Sequence, residues 1–155
     1  MSSPDDDVVA KLLGRKPQGA YTVVVRDRNG VPVVIENSPL LDDGTPMPTT
    51  YWLLTGEIHY RVSQLESEGG VDQAEQAIGL EAIAAAHDAY RATRDANIDA
   101  AHTGVIPSGG VGGTRVGVKC LHAHMAWWLA GGHDPVGEWT AERLGIPRPV
   151  NGVIA

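Results

Sequence analysis

The dipeptide Asn29-Gly30 lies between two short runs rich in β-branched residues, and it constrains the fold of this chain more than any other feature. Residues 21–25 read Tyr-Thr-Val-Val-Val, and residues 33–35 read Val-Val-Ile. Asn-Gly between such runs is the strongest short signal for an antiparallel hairpin, because both residues tolerate the positive φ angles of a type I′ turn. The sequence therefore predicts a hairpin over residues 21–36, with positive φ at one or both turn residues.

A further strand and a short helix flank this hairpin. Residues 51–54 read Tyr-Trp-Leu-Leu after a stretch rich in proline, aspartate and glycine, and this pattern predicts a third strand. Upstream of the hairpin, four apolar residues at helical spacing predict one or two helical turns that end at Gly14. These apolar residues are Val8, Val9, Leu12 and Leu13.

The middle of the chain is predicted to be helical. Thr55 is the expected N-cap of a helix that ends at Gly69-Gly70. An alanine-rich stretch predicts a long helix over residues 71–101, with Gly79 as the point at which it could break.

The remainder of the chain is predicted to hold one loop and two further helices. Residues 102–113 include Pro107 and five glycines, which is typical of a loop. A third main helix is expected over residues 115–130, where Gly131-Gly132 ends it, and a short one over residues 138–144.

Size and composition predict one cytoplasmic α+β domain. The 155 residues divide into a lead-in over residues 1–19, a core over 20–145 and a tail over 146–155. A formal net charge of −7 argues against nucleic-acid binding, which requires Lys and Arg against phosphates. No run approaches the ~20 apolar residues of a membrane helix, and the acidic N-terminus is unlike a signal peptide. We expect a small antiparallel sheet of three strands packed against two or three α-helices.

A glycine-rich segment before the third predicted helix indicates an anion site. Two cations and a histidine follow at spacings of four and three residues, which would place them on one helix face. Backbone N–H groups at a helix start and nearby cations favour a small, phosphate-bearing anion. The residues predicted to bind it are Gly112, Gly113, Thr114, Arg115, Lys119 and, as a titratable proton donor, His122. The alternative is a flexible loop followed by an ordinary solvated basic face.

A second polar stripe is predicted on the long helix. His87 and Arg91 are four residues apart, and Arg94 follows three residues later. This stripe would complete the anion pocket if it faces residues 108–114. The alternative is a solvated face on which the arginines pair with neighbouring aspartates.

The segment Cys120-x-His122-x-His124 indicates a metal site, because thiolate and imidazole are preferred ligands of zinc and also bind iron. On a helix, only Cys120 and His124 can meet, at positions i and i+4, while His122 points elsewhere. A third ligand must then come from another part of the chain. The candidate nitrogen ligands are His59, His87, His102 and His133.

Two alternatives to the metal site remain open. Cys120 could be a buried small hydrophobic residue that packs against leucine and tryptophan side chains. It could also be a nucleophile that His124 activates and Lys119 helps to ionise, although no orienting third group is evident.

Several segments together resemble a bacterial family, the domain of unknown function numbered 501, over about residues 20–140. The most specific are Gly-Val-Lys-Cys-Leu-His-Ala-His at residues 117–124 and Leu-Ala-Gly-Gly-His-Asp-Pro-Val-Gly at residues 129–137. The other segments are residues 43–49, 63–67 and 87–90. The resemblance implies a shared fold and little chemistry. Members are often encoded beside septum-formation initiators and exopolyphosphatases, which implies a link to cell division or polyphosphate metabolism.

This resemblance implies a second possible function, and this sequence differs from the pattern expected in many relatives at one point. The rival is a non-catalytic protein that docks a partner of the division machinery, for which exposed Trp127 or Trp139 would be suitable. Many relatives are expected to carry additional cysteines in the first hairpin and after the third strand. Here residues 26–30 read Arg-Asp-Arg-Asn-Gly and residues 55–57 read Thr-Gly-Glu. If relatives bind metal through those cysteines, this chain has lost part of the site, and we expect it to be empty.

Overall fold

A computed structural model describes residues 4–155, in which a three-stranded antiparallel sheet in the N-terminal half packs against helices. The elements are α1 (Asp6–Leu13), β1 (Tyr21–Arg26), β2 (Pro32–Asn37), β3 (Tyr51–Leu53), α2 (Glu57–Ser67), α3 (Gly70–Ile78), α4 (Leu80–Asp95), a 3₁₀ turn (Val111–Gly113), α5 (Leu121–Leu129) and α6 (Pro135–Leu144). The strand order in the sheet is β1-β2-β3. The predicted α+β class is confirmed, with six α-helices in the described residues instead of two or three.

The hairpin forms between β1 and β2, but its turn is not of type I′. Gly30 has a φ of 82°, whereas Asn29 is not among the described residues with positive φ. The Asp27 N–H donates to the Val31 carbonyl at 2.9 Å, and the Gly30 N–H donates to the Asp27 carbonyl at 3.0 Å. The loop is therefore longer than two residues, with only Gly30 left-handed. The Asp27 carboxylate stabilises it by accepting from the N–H groups of Asn29 and Val31.

Two helix boundaries in the middle of the chain differ from the prediction. Gly79, with a φ of 89°, divides the expected long helix into α3 and α4, and α4 ends at Asp95 instead of residue 101. Thr55 does not cap α2. The N-cap is Gly56, which has no side chain to accept from the N–H groups of the first turn. The Thr55 N–H donates instead to the Leu12 carbonyl at 3.1 Å.

The third main helix begins at Leu121 instead of residue 115. Gly117 is left-handed, with a φ of 69°, and Cys120 is extended, so residues 114–120 cannot continue a helix. Side chains from two other helices hold this segment in place. The Gly117 carbonyl lies 2.7 Å from His87 Nε2, and the Val118 N–H donates to Glu75 Oε2 at 3.1 Å.

Helix α5 forms the centre of the main core. Its residues Leu121, Met125, Trp128 and Leu129 are buried, and they lie in one cluster with Val34 of β2. The next residue of β2, Ile35, points to the opposite face of the sheet, where it packs with Val9 of α1. Each face of the sheet therefore has its own apolar layer.

The tryptophans do not form the exposed patch that a docking protein would offer. Trp127 is only 6% exposed and packs edge-on against Tyr90, while Trp139 is half-buried beside the core. Within residues 4–155, every helix is too short or too polar to cross a bilayer.

Candidate functional site

Three metal-ligating side chains converge where α2 meets the first turn of α5. The ligand atoms of Glu66, Cys120 and His122 all lie within 4.8 Å of one another, and all three residues are half-buried. We call these residues the α2–α5 cluster. Helix α2 supplies the carboxylate, and the thiol and imidazole come from the start of α5.

The carboxylate of Glu66 anchors the two helices to each other. Its Oε2 atom accepts a hydrogen bond from the Leu121 N–H at 2.6 Å, so a negative charge lies at the N-terminus of α5, where the helix dipole favours it. Its other oxygen, Oε1, lies 3.3 Å from Nδ1 of His122. One oxygen therefore holds the fold, and the other faces the imidazole.

The second nitrogen of His122 is fixed by a hydroxyl. His122 Nε2 lies 3.0 Å from Ser63 Oγ, and Ser63 Oγ donates to the His59 carbonyl at 3.0 Å. A hydroxyl has one proton, so in the arrangement in which Ser63 gives it to the His59 carbonyl, Ser63 accepts the hydrogen bond from His122 Nε2–H. The lone pair of Nδ1 would then face Glu66 Oε1, and these two atoms repel unless a cation, a proton or a metal ion, lies between them.

His59 lies next to the cluster on the same face of α2. Its ring centroid is 4.3 Å from that of His122. Burial, and to a lesser degree the neighbouring His122, lower the pKa of His59, while Glu66 acts in the opposite direction. His59 is therefore a neutral imidazole at pH 7, which is the form that binds metals.

The expected pairing of Cys120 with His124 is wrong. Cys120 is the N-cap residue of α5 and has extended φ and ψ angles, so the i, i+4 rule of a helix does not apply to it. Its neighbours in the cluster are His122 and Glu66. Sequence reasoning missed Glu66 and Ser63 as site residues, although both lie in segment 63–67, one of those that carry the family resemblance.

His124 belongs to the interior. Its Nδ1 lies 2.6 Å from Asp134 Oδ2, and both side chains are buried. Oδ1 of Asp134 caps α6 by accepting from the N–H groups of Val136 and Gly137. His124 Nε2 has no hydrogen-bond partner in the described part of the chain. The pair therefore fastens α5 to the start of α6.

The predicted stripe on α4 does face the glycine-rich loop, and its buried members hold that loop by its backbone. His87 Nδ1 accepts from the Val111 N–H at 3.1 Å, which leaves Nε2 to donate to Gly117. A Cβ atom on Gly110 would lie 2.4 Å from His87 Cβ, so only glycine fits there. Arg94 donates to backbone carbonyls, and Arg91 is exposed and pairs with Asp88 at 3.3 Å.

The residues of the predicted anion site are not arranged as expected. Arg115 and Lys119 are exposed on the non-helical segment, so the single helix face they would share with His122 does not exist. The N–H groups of Gly113 and Thr114 are bonded within the loop, to the carbonyls of Gly110 and Val111. Of the three predicted backbone donors, only Gly112 lacks such a bond in the described residues.

A cleft of about 360 Å³ lies beside the cluster. Residues 27–29 of the hairpin loop and residues 55–57 before and at the start of α2 line it together, and His59 lies on its wall. The two segments in which relatives are expected to carry additional cysteines therefore meet in this chain at one cleft, where they hold Asp27, Asn29 and Thr55.

A family model described as "Protein of unknown function (DUF501)" matches residues 23–142. The chain belongs to this family. The DUF501 match contains the whole α2–α5 cluster and begins after α1. The chain has no significant match among curated proteins or solved structures.

Proposed function

We propose that this protein binds a divalent transition metal of the zinc class through Glu66, Cys120 and His122. The observation that carries the proposal is the approach of His122 Nδ1 to Glu66 Oε1 at 3.3 Å, with the Cys120 thiol in the same cluster. Carboxylate, thiolate and imidazole are all zinc ligands, and this combination also accepts iron. A metal ion relieves the repulsion between the two facing lone pairs.

The spacing of the donor atoms is close to that of a tetrahedral site. Zinc bonds of about 2.0–2.3 Å place donor atoms about 3.3–3.8 Å apart. The observed upper limit of 4.8 Å therefore requires only small side-chain movements. Three protein ligands leave a fourth position, which a water molecule can fill.

The surroundings of the ligands also support a metal site. Ligating histidines generally donate their second ring N–H to a fixed acceptor, which sets the tautomer. Ser63 supplies such an acceptor for His122, and the Leu121 N–H holds the second oxygen of Glu66. The ligands are therefore oriented before a metal arrives.

A cysteine nucleophile is the second candidate, because Glu66 supplies the orienting carboxylate that such a mechanism needs. A base must accept the thiol proton directly. No hydrogen bond joins the Cys120 thiol to an imidazole within residues 4–155, and Nε2 of His122 is bonded to Ser63. The geometry therefore favours metal binding over nucleophilic catalysis.

Two other expectations stay predictions. Anion binding near Gly112 has support only from Arg115 and Lys119, whose side chains make no hydrogen bond or ion pair in the described chain. Docking to a partner of the division machinery has no support from the tryptophan patch that it requires, because Trp127 is buried.

Zinc titration of the metal-free protein by calorimetry, with elemental analysis after dialysis, tests the proposal. We expect one zinc per chain, and an affinity that falls at least about 100-fold in Cys120→Ser and His122→Ala. Ser63→Ala removes only the hydrogen bond behind His122 and should weaken binding about 10–100-fold. His133→Ala, at an exposed histidine, is the matched control and should leave the affinity unchanged. Absence of stoichiometric zinc, or equal loss in the control, would refute the proposal.

A further inference from the structure

Cys120 is the single cysteine of the 155-residue chain and the only sulfur ligand of the α2–α5 cluster. A metal-bound cysteine is a thiolate, and thiolates are the form that oxidants attack. The residue is half-buried at the surface, so a molecule as small as hydrogen peroxide can reach it. The other sulfur of α5, in Met125, is fully buried.

We propose that Cys120 is a site of reversible oxidation by hydrogen peroxide, and that this oxidation releases the metal. The inference rests on the proposed metal binding and adds a means of regulating it. Sulfenic acid is a neutral, poor ligand, so oxidation leaves only Glu66 and His122 to hold the ion. Two ligands bind zinc far more weakly than three.

The reaction balances with peroxide as the oxidant. The Cys120 sulfur attacks one peroxide oxygen, an S–O bond forms and the O–O bond breaks. Sulfur loses two electrons, the departing hydroxide takes a proton to become water, and the metal ion passes to the solvent. The chain has no second cysteine, so the sulfenic acid cannot close an internal disulfide. A small external thiol must form a mixed disulfide with Cys120, and a second thiol must then restore it.

The fold does not depend on the Cys120 side chain. As the N-cap residue of α5 it makes no side-chain cap hydrogen bond. Backbone groups hold the segment instead, through the bonds of Val118 to Glu75 and of Leu121 to Glu66. Oxidation therefore changes metal occupancy and leaves the helices in place.

The test treats the zinc-loaded full chain with hydrogen peroxide and follows free zinc with a chromogenic chelator, together with dimedone labelling of Cys120 by mass spectrometry. We expect stoichiometric release, a dimedone adduct on Cys120 and, in a parallel sample without dimedone, recovery of zinc binding after dithiothreitol. Cys120→Asp keeps an anionic oxygen ligand and should release zinc at least about tenfold more slowly. Met47→Leu removes another oxidisable sulfur and should behave like the parent protein.

The outcomes separate the two proposals. If the parent protein binds no zinc, the proposed function fails and the oxidation switch fails with it. If it binds zinc but peroxide neither releases the ion nor labels Cys120, the switch alone is wrong. Should Cys120→Asp bind no zinc, iodoacetamide alkylation in the presence of a zinc chelator decides instead: the untreated parent protein must be alkylated at Cys120, and the peroxide-treated protein must resist alkylation until dithiothreitol restores the thiol. Release that is lost in Met47→Leu would also overturn the switch.

Discussion

Two groups of polar side chains, both rich in histidine, flank the segment 114–120, and they differ in how fully their hydrogen bonds are satisfied. On the interior side, both nitrogens of His87 bond to backbone groups, and the fully buried Arg94 donates to several carbonyls. On the surface side, His122 and Glu66 each have one atom bonded and one facing the other across 3.3 Å. The interior groups hold the backbone, whereas the surface groups retain free coordinating atoms.

This difference shows how residues of the same type can be assigned to two roles: some stabilise the fold, and others are available to bind a ligand. A buried polar group costs free energy unless it is bonded, and His87 and Arg94 are bonded, although Nε2 of the buried His124 has no partner in the described residues. A half-buried group retains access to water and can keep a donor atom free for a ligand. Substitution on the interior side should therefore change stability, and substitution in the α2–α5 cluster should change metal binding.

The largest expected effect is that of Arg94→Ala. The guanidinium donates to the carbonyls of Pro48 at 3.1 Å and Gly109 at 2.9 Å, and it pairs with Asp95. Its loss leaves buried carbonyls unpaired and a cavity, so we expect the free energy of unfolding to fall by about 3 kcal/mol in urea titrations. Arg91→Ala, at an exposed ion pair, should change it by less than about 0.5 kcal/mol. Equal effects of the two variants would break the comparison.

Asp134→Ala should have the next largest effect. The carboxylate both caps α6 and holds His124, so the free energy of unfolding should fall by about 2 kcal/mol. Glu138→Ala, at an exposed position on α6, is the control for the general effect of removing a carboxylate from this helix. Zinc affinity should stay unchanged in both variants, and a loss of zinc in Asp134→Ala would mean that the two sides are not separate.

Glu66→Gln sharpens the comparison from the surface side. The amide oxygen of glutamine can still accept the hydrogen bond from the Leu121 N–H, so the metal-free protein should lose less than about 1 kcal/mol of stability. Zinc affinity should nevertheless fall, because an amide is a poor zinc ligand. A large loss of stability in the absence of metal would show that Glu66 is mainly structural.

The smallest effect concerns pH and Tyr51, the first residue of β3, whose ring packs edge-on against Tyr90 of α4. Burial, and then the nearby carboxylate of Glu36, raise the pKa of the Tyr51 phenol to about 12 from an ordinary value of 10.0. The unfolded chain releases this proton near pH 10 while the folded chain keeps it. Stability is therefore lost as the pH rises from about 10 to about 12. Tyr51→Phe should flatten this decline in unfolding experiments, and an unchanged decline would contradict the assignment.

The sequence by itself determined the local structure. Asn29-Gly30 between β-branched runs predicted the hairpin, and Gly14 and Gly131-Gly132 marked the ends of α1 and α5. Such signals predict turns and helix ends because the φ and ψ angles at these positions depend mainly on the residue itself and its neighbours in sequence. Even the break at Gly79 was visible as a weak point in an alanine-rich stretch.

Only the tertiary structure decided which side chains form the candidate site. Gly117, bonded to His87, and Val118, bonded to Glu75, take residues 114–120 out of the helix predicted to begin at residue 115. Spacing rules based on that helix therefore paired Cys120 with the wrong histidine. Glu66 reaches His122 across more than fifty residues, and such contacts depend on how α2 packs against α5. The burial of the whole apolar core determines how α2 packs against α5. Helix and strand propensities describe only neighbouring residues, so they contain no information about that packing.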